Sequence, residues 1–175
     1  KAIRWVHDHV GDYGGNGKRL FVMGHSAGAH LAALVCTDER YLQAEGLPLS
    51  IVKGCVPVDT AAYDIPRRFA ESPAAKNAKG TDIFGADEAT HRELSPITYA
   101  RKGKQIPPFL ILHVAARPDS TAQSKGFAAA LKAAGASAAL VPGEGKTHGT
   151  INSELGRSDD KPTQAVFEFV AQQLK

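Results

Sequence analysis

A serine flanked by glycines carries the clearest chemistry in this sequence. Residues 24–28 read Gly-His-Ser-Ala-Gly, a G-x-S-x-G pattern with Ser26 at its centre. An apolar run at 20–23 precedes the pattern and an Ala- and Leu-rich stretch at 27–36 follows it, which is a strand-turn-helix context. Such a turn holds a serine hydroxyl above a sheet. We therefore predict that Ser26 is a nucleophile and that the amide of Ala27, near a helix N-terminus, donates to a developing oxyanion. An ordinary helix cap is the alternative role for this serine.

A nucleophilic serine needs a general base, and few histidines follow it in the chain. Besides the neighbouring His30, the candidates are His91, His113 and His148. His91 lies in a polar segment, and His113 lies inside an apolar strand, where a core role fits better. His148 lies in a loop between the last predicted strand and the last predicted helix, and such loops form the site of a parallel sheet. We predict that His148 is the base; an exposed loop histidine is the alternative.

The acid of a Ser-acid-His order must lie between Ser26 and His148 in the chain. Asp119 is the only carboxylate in the loop 115–120, which follows the third predicted strand. There it would orient the imidazole and stabilise its charged form, although a helix cap is an alternative role. We predict Asp119 as the acid and keep Asp59, at the carboxyl end of the preceding strand, as the second candidate.

Alternating strands and helices must position these side chains. Short apolar runs predict four buried strands, at residues 20–23, 52–59, 109–114 and 137–141. Helical patterns occupy residues 1–10, 27–36 and 120–134 and the stretch after Pro162. This alternation favours parallel pairing with right-handed crossovers. The predicted fold class is therefore α/β, with a mostly parallel sheet and helices on both faces.

Residues 63–104 break this rhythm, being richer in charge, proline and alanine and without a clear strand. We interpret the segment as a cap-like excursion above the sheet within a single domain at 1–175. Four of its apolar residues are candidate pocket walls, with local packing as the alternative: Tyr63, Ile65, Phe69 and Phe84.

The composition is that of one ordinary globular domain. The chain has 175 residues, of which 43% are hydrophobic and 22% charged, with a formal net charge of +3. A chain of this length buries about 70% of its unfolded surface and closes a core without disulfides. The basic residues are scattered, so we expect no nucleic-acid partner. No apolar run approaches the roughly 20 residues of a membrane span.

Cysteine usage and the start of the chain bear on the compartment. Cys36 and Cys55 form neither a C-x-x-C pair nor a ligand cluster, which fits buried thiols of a reducing compartment. No signal peptide opens the chain, so we expect a cytoplasmic protein. Residues 145–147 read Gly-Lys-Thr, but the earlier glycine of a phosphate-binding loop is missing because position 140 is Leu140. Nucleotide binding is therefore not expected.

Several segments support the serine motif by their order along the chain. They are residues 24–31, 95–97 and 107–113, Gln123 and Ser124 with Phe127, and residues 147–148. Together they resemble the α/β-hydrolase fold, specifically the carboxylesterase and lipase branch that includes hormone-sensitive-lipase-like and kynurenine-formamidase-like enzymes. The resemblance spans nearly the whole chain. It implies hydrolysis of carboxylic esters or related acyl bonds without a metal or organic cofactor.

Two departures from that family's pattern stand out. Members usually carry the acid three or four residues after the position of His113, where this chain has Ala116 and Arg117. Members also place a His-Gly-Gly motif and several strands before the G-x-S-x-G turn. The resemblance therefore implies a fold shortened at its amino terminus. We expect the strand at 20–23 to have a bare edge that a second copy or an amino-terminal fragment covers.

These observations predict a serine esterase that acts on small esters through an acyl-enzyme. The first alternative is an amidase of the arylformamidase kind. The second is a catalytically weak, truncated hydrolase that acts as a scaffold or subunit.

Overall fold

Four parallel strands form one sheet in the part of the chain that the structure describes. The computed structural model describes residues 1–72 and 78–175. The strands are β1 (Leu20–His25), β2 (Val52–Val58), β3 (Phe109–Val114) and β4 (Ala138–Gly143). They lie side by side in chain order, and each neighbouring pair is parallel. The predicted α/β class is confirmed.

The inner strands are apolar along their whole length because helices cover both faces of the sheet. All six residues of β3 are buried, and β2 exposes only Lys53. Successive side chains of a strand point to opposite faces. Phe109 and Ile111 accordingly belong to one hydrophobic cluster, and Leu110 and Leu112 belong to the other. Burying each such side chain contributes about 1.5–3 kcal/mol.

In the described part of the chain, helices precede, connect and follow these strands. They are α1 (Ala2–His9), α2 (Ala27–Val35), α3 (Arg40–Gln43), α4 (Ile65–Glu71), α5 (Ala78–Phe84), α6 (Glu88–Glu93), α7 (Pro118–Ala133), α8 (Thr150–Ser153) and α9 (Lys161–Gln173). Helices α2 and α7 contribute Ala33 and Phe127 to the first cluster, and α9 contributes Phe169 to the second. The sheet thus lies between two helical layers.

Side-chain caps fix where several helices begin. Asp64 precedes α4 and accepts a hydrogen bond from the backbone N–H of Arg67 at 3.1 Å. Asp160 does the same for Thr163 at the start of α9, where Pro162 occupies the first turn. Such caps satisfy backbone N–H groups that have no partner within the helix.

Between β2 and β3, the described residues of segment 63–104 form the short helices α4, α5 and α6 and a 3₁₀ turn at Pro96–Tyr99, with no strand among them.

Cys36 and Cys55 are both buried and free of disulfides. Among the described residues, none of the helices has the length and apolar character needed to cross a membrane.

Candidate active site

Ser26 occupies a strained turn between β1 and α2. Its φ is +58°, a region that non-glycine residues rarely adopt. The backbone N–H of Ser26 donates to the carbonyl of Val58 at 2.9 Å, which ties the turn to the end of β2. A Cβ at Gly24 would collide with the backbone of Gly28. The two outer glycines therefore face each other closely across the turn, as a tight strand-to-helix elbow requires.

His148 lies directly over the serine. Its Nε2 is 2.9 Å from Ser26 Oγ. The ring belongs to the loop between β4 and α8, and that loop is closed by a hydrogen bond from the N–H of Ile151 to the carbonyl of Thr147. His25 contacts His148 as well: its Nε2 lies 2.8 Å from the carbonyl oxygen of His148, and the centroids of the two rings are 4.5 Å apart.

Asp59 completes the hydrogen-bonded chain on the other side of the imidazole. Its Oδ2 is 2.6 Å from His148 Nδ1, and its side chain is fully buried. Its Oδ1 accepts hydrogen bonds from the N–H of Val114 at 3.0 Å and from Ser120 Oγ at 2.6 Å. Asp59 follows β2 with a φ of +49°, so it shares positive φ with Ser26. Serine, histidine and aspartate thus form one continuous line.

Arg117 is a further charged group at this point. Its Nη1 lies 2.5 Å from Asp59 Oδ2 and 2.9 Å from His148 Nδ1. When Nδ1 carries its proton, both nitrogens are donors, and Asp59 accepts from both. In that tautomer His148 presents a free lone pair on Nε2 toward Ser26.

The surroundings of Asp59 keep it ionised. Burial raises the pKa of this carboxyl, but hydrogen bonds from Ser120, from the N–H of Val114 and from His148 lower it, as does the charge of Arg117. The lowering contributions prevail, and the pKa of Asp59 falls to about 2.

The sequence favoured Asp119 as the acid, but the structure places Asp59 against His148 instead. Asp119 lies in the first turn of α7, half exposed, and its Oδ2 accepts from Nη2 of Arg117 at 3.1 Å. Asp59 reaches the imidazole because β2 neighbours β1 in the sheet, so the carboxyl ends of both strands meet at one edge. The sequence signal for Asp59 was its position at the carboxyl end of a predicted strand. The preference for Asp119 is therefore corrected.

The other three histidines considered as the base each lie against an oxygen atom elsewhere in the fold. His91 Nε2 lies 2.9 Å from the carbonyl oxygen of Gly85, and His113 Nδ1 lies 3.1 Å from Thr121 Oγ1. His30 is buried, with Nε2 2.7 Å from the carbonyl oxygen of Leu94. Burial lowers the pKa of His30.

A cavity of about 540 Å³ lies over the serine and the imidazole. Ala27, the first residue of α2, lines it beside Ser26. Its apolar wall is formed by residues of α2, of α5 and of the chain after α6, among them Leu31, Leu34, Ile83, Phe84 and Leu94. Its charged lining residues are Asp59, Arg68 and Arg117, with His148.

The four candidate pocket walls of the excursion divide between cavity and core. Phe84 lines the cavity. Tyr63 is fully buried and stacks on Phe127 at 4.5 Å, and Ile65 is fully buried as well. Phe69 packs edge-on against His91. Three of the four therefore pack locally.

Comparisons with known proteins agree with this geometry. Residues 1–152 match a family model described as alpha/beta hydrolase fold. The chain is 33% identical to the esterase LipQ of Mycobacterium tuberculosis, covering 78% of this chain and 34% of that protein. It is 30% identical to a probable isoprenylcysteine alpha-carbonyl methylesterase of Oryza sativa subsp. japonica, covering 97% of this chain and 44% of that protein.

Solved structures give the same result. The thermophilic esterase Est2 of Thermogutta terrifontis superposes with a TM-score of 0.68 at 28% identity, covering 99% of this chain and 60% of that chain. This chain therefore spans between a third and a half of the two curated relatives' lengths, and 60% of the solved esterase.

Proposed function

Because the chain belongs to the alpha/beta-hydrolase fold family, we propose that it hydrolyses carboxylic esters through an acyl-enzyme on Ser26. The observation that carries the proposal is the unbroken line of hydrogen-bonding distances from Ser26 Oγ through His148 to Asp59. The names of the relatives, an esterase and a probable methylesterase, support the same reaction class.

The first half of the reaction forms the acyl-enzyme. Ser26 Oγ attacks the ester carbonyl carbon while His148 Nε2 takes the hydroxyl proton. The amide of Ala27 donates to the oxyanion, and ionised Asp59 stabilises the imidazolium. The carbon–oxygen bond to the alcohol then breaks, and the proton on Nε2 passes to the leaving alkoxide.

The second half returns the enzyme to its starting state. A water molecule gives a proton to His148 Nε2 and attacks the acyl carbon. The bond to Ser26 breaks, and the proton passes back to the serine oxygen, so the products are one carboxylic acid and one alcohol. Arg117 stays paired with Asp59 throughout and holds its carboxylate in place.

Small ester substrates suit the cavity. A volume of about 540 Å³ lies within the range of small-molecule sites, and most of its wall is apolar. The Thermogutta esterase has been solved with butyrate and with propionate bound. We therefore place short acyl chains among the preferred substrates.

A panel of p-nitrophenyl esters of increasing acyl length tests the proposal. The whole chain should turn over the short esters, and Ser26→Ala should abolish that turnover while leaving the circular dichroism spectrum unchanged. Ser153→Ala, an exposed serine on α8, is the matched control and should keep full activity. Turnover that survives in a clean Ser26→Ala preparation would contradict the mechanism. Preferential cleavage of an N-formyl aromatic amide would favour the amidase instead.

A further inference from the structure

A half-buried arginine lines the cavity above Ser26. Arg68 lies in the last turn of α4 and shares the lining with Ser26 and His148. Its Nη1 donates to the carbonyl oxygen of Ala61 at 2.9 Å. A guanidinium carries five N–H donors, so this bond uses one of them.

Neighbouring arginines show what is unusual about this one. Arg67 pairs with Glu71 at 2.7 Å, and Arg117 pairs with Asp59 and Asp119. Within the described parts of the chain, by contrast, no carboxylate lies within ion-pair distance of Arg68. Charged groups removed from water are normally paired, because burying an unpaired charge is costly.

The charge of Asp119 does not offset the burial of Arg68. Burial lowers the pKa of Arg68, the charge of Asp119 raises it less, and the charge of Arg117 lowers it further. Asp119 is engaged by Arg117, and together with Glu71 and Arg68 it lines an adjoining hollow. The guanidinium thus remains under-compensated.

The charges of the cavity lining lead to the same conclusion. Besides the imidazoles of His30 and His148, the lining carries two arginines, Arg68 and Arg117, against one carboxylate, Asp59. Arg117 already neutralises Asp59. One positive charge therefore faces a cavity whose other walls are largely apolar.

We infer that Arg68 binds a carboxylate on the substrate, so that the preferred substrates are carboxylic esters bearing a second, free carboxylate. A planar guanidinium matches a carboxylate in two parallel hydrogen bonds, which favours this anion over a neutral ester group. This inference depends on the proposed esterase activity. The carboxylate belongs either to the acyl part or to the alcohol part of the ester.

Two substrate pairs distinguish these sources. For the acyl part, p-nitrophenyl hydrogen glutarate is compared with the methyl ester of the same compound. For the alcohol part, 4-acetoxybenzoate is compared with methyl 4-acetoxybenzoate. In at least one pair, kcat/KM of the whole chain should be about 10- to 100-fold higher for the anionic member. A charge-assisted hydrogen bond contributes a stabilisation of that size.

Variants of two arginines in α4 test whether Arg68 causes the preference for the anionic ester. Arg68→Met should bring the ratio of anionic to neutral kcat/KM near one, mainly by raising KM for the anion. Arg68→Lys keeps the charge and should retain part of the ratio. Arg67→Met is the matched control, because the guanidinium of Arg67 pairs with Glu71 outside this cavity, and it should leave the ratio unchanged.

Equal kcat/KM within both pairs, or an anionic preference that survives Arg68→Met, would overturn the inference while leaving the esterase proposal standing. Absence of all ester hydrolysis would contradict the esterase proposal instead.

A binding measurement then tests separately whether Arg68 binds a carboxylate. Calorimetry on Ser26→Ala should show monomethyl glutarate binding at least 10-fold more tightly than dimethyl glutarate, and Arg68→Met should remove that difference. Equal binding of the two compounds would overturn the inference.

Discussion

Asp59 is the residue at which the most interactions of the candidate site converge. Its two oxygens accept from Val114, Ser120, Arg117 and His148. In a serine triad such a carboxylate selects the histidine tautomer and stabilises the imidazolium. The interactions that fix Asp59 therefore also fix the proton-accepting nitrogen of His148.

Replacing either candidate acid by its amide separates their roles. Asp59→Asn should lower turnover by about 10⁴, as loss of the acid does in the serine-protease triad. Asp119→Asn is the control: its carboxylate is half exposed and its Oδ2 pairs with Arg117, so turnover should stay within a few-fold and stability within about 1 kcal/mol. Steady-state kinetics and urea unfolding measure both. Equal, small losses in the two variants would place the acid elsewhere.

The pKa of Asp59 makes a second prediction at this scale. Because it is lowered from 3.8 to about 2, the folded state favours the ionised carboxylate. The resulting stabilisation is fully present above about pH 4 and is lost as pH falls toward 2, a change on the order of 2 kcal/mol. Carbon NMR should show a carboxyl titrating near pH 2 that is absent in Asp59→Asn. A midpoint near 4 for that signal would contradict the hydrogen-bonding pattern.

The sequence predicted that Ser26 and His148 lie together, as they do in the structure, but it favoured Asp119 over Asp59, whereas the structure places Asp59 against His148. The serine motif is local, and the order of the chain narrows the histidines to few. The carboxylates are harder to rank, because both follow strands. Asp59 is held by Val114 and Ser120, which lie 55 and 61 residues further along the chain. Contacts at such separations, and the positive φ of Asp59, leave no local pattern in the sequence.

At the scale of elements, the elbow depends on the close approach of two backbones. Gly24→Ala would place a Cβ against the carbonyl of Gly28, and backbone cannot move aside as a flexible side chain does. We expect a loss of about 1–3 kcal/mol in the free energy of unfolding. Gly28→Ala is the control within the same motif, since nothing lies within 4 Å of its new Cβ and alanine favours a helix. Urea denaturation compares them; equal stability of the two variants would contradict the crowded elbow.

The strands were predicted more closely than the excursion. Each strand is a short apolar run, and observed and predicted bounds agree within two residues at every end, as for β3 at Phe109–Val114. The short helices α4, α5 and α6 had no such pattern. Their apolar residues pack partly on each other, as Phe69 does on Phe84 and His91, so no single periodic face runs through the segment.

At the scale of the whole molecule, β1 is one of the two outer strands of the described sheet. It pairs with β2 on one side, and Met23 is 46% exposed. An outer strand presents unpaired N–H and C=O groups to other chains. The expectation that a second copy or an amino-terminal fragment covers this edge stays a prediction. For a second copy, sedimentation velocity should show a dimer fraction that increases with protein concentration and is smaller in Met23→Lys. A monomer at every concentration would contradict it.

The proposed chemistry depends most directly on a nucleophile at Ser26 activated by His148. The whole chain should therefore be incubated with a fluorophosphonate probe and its intact mass measured, followed by peptide mapping. The expected result is a single adduct on the peptide containing Ser26, lost in Ser26→Ala and strongly slowed in His148→Ala. An unlabelled protein, or an adduct on another residue while esters are still hydrolysed, would contradict the assignment of Ser26 as the nucleophile.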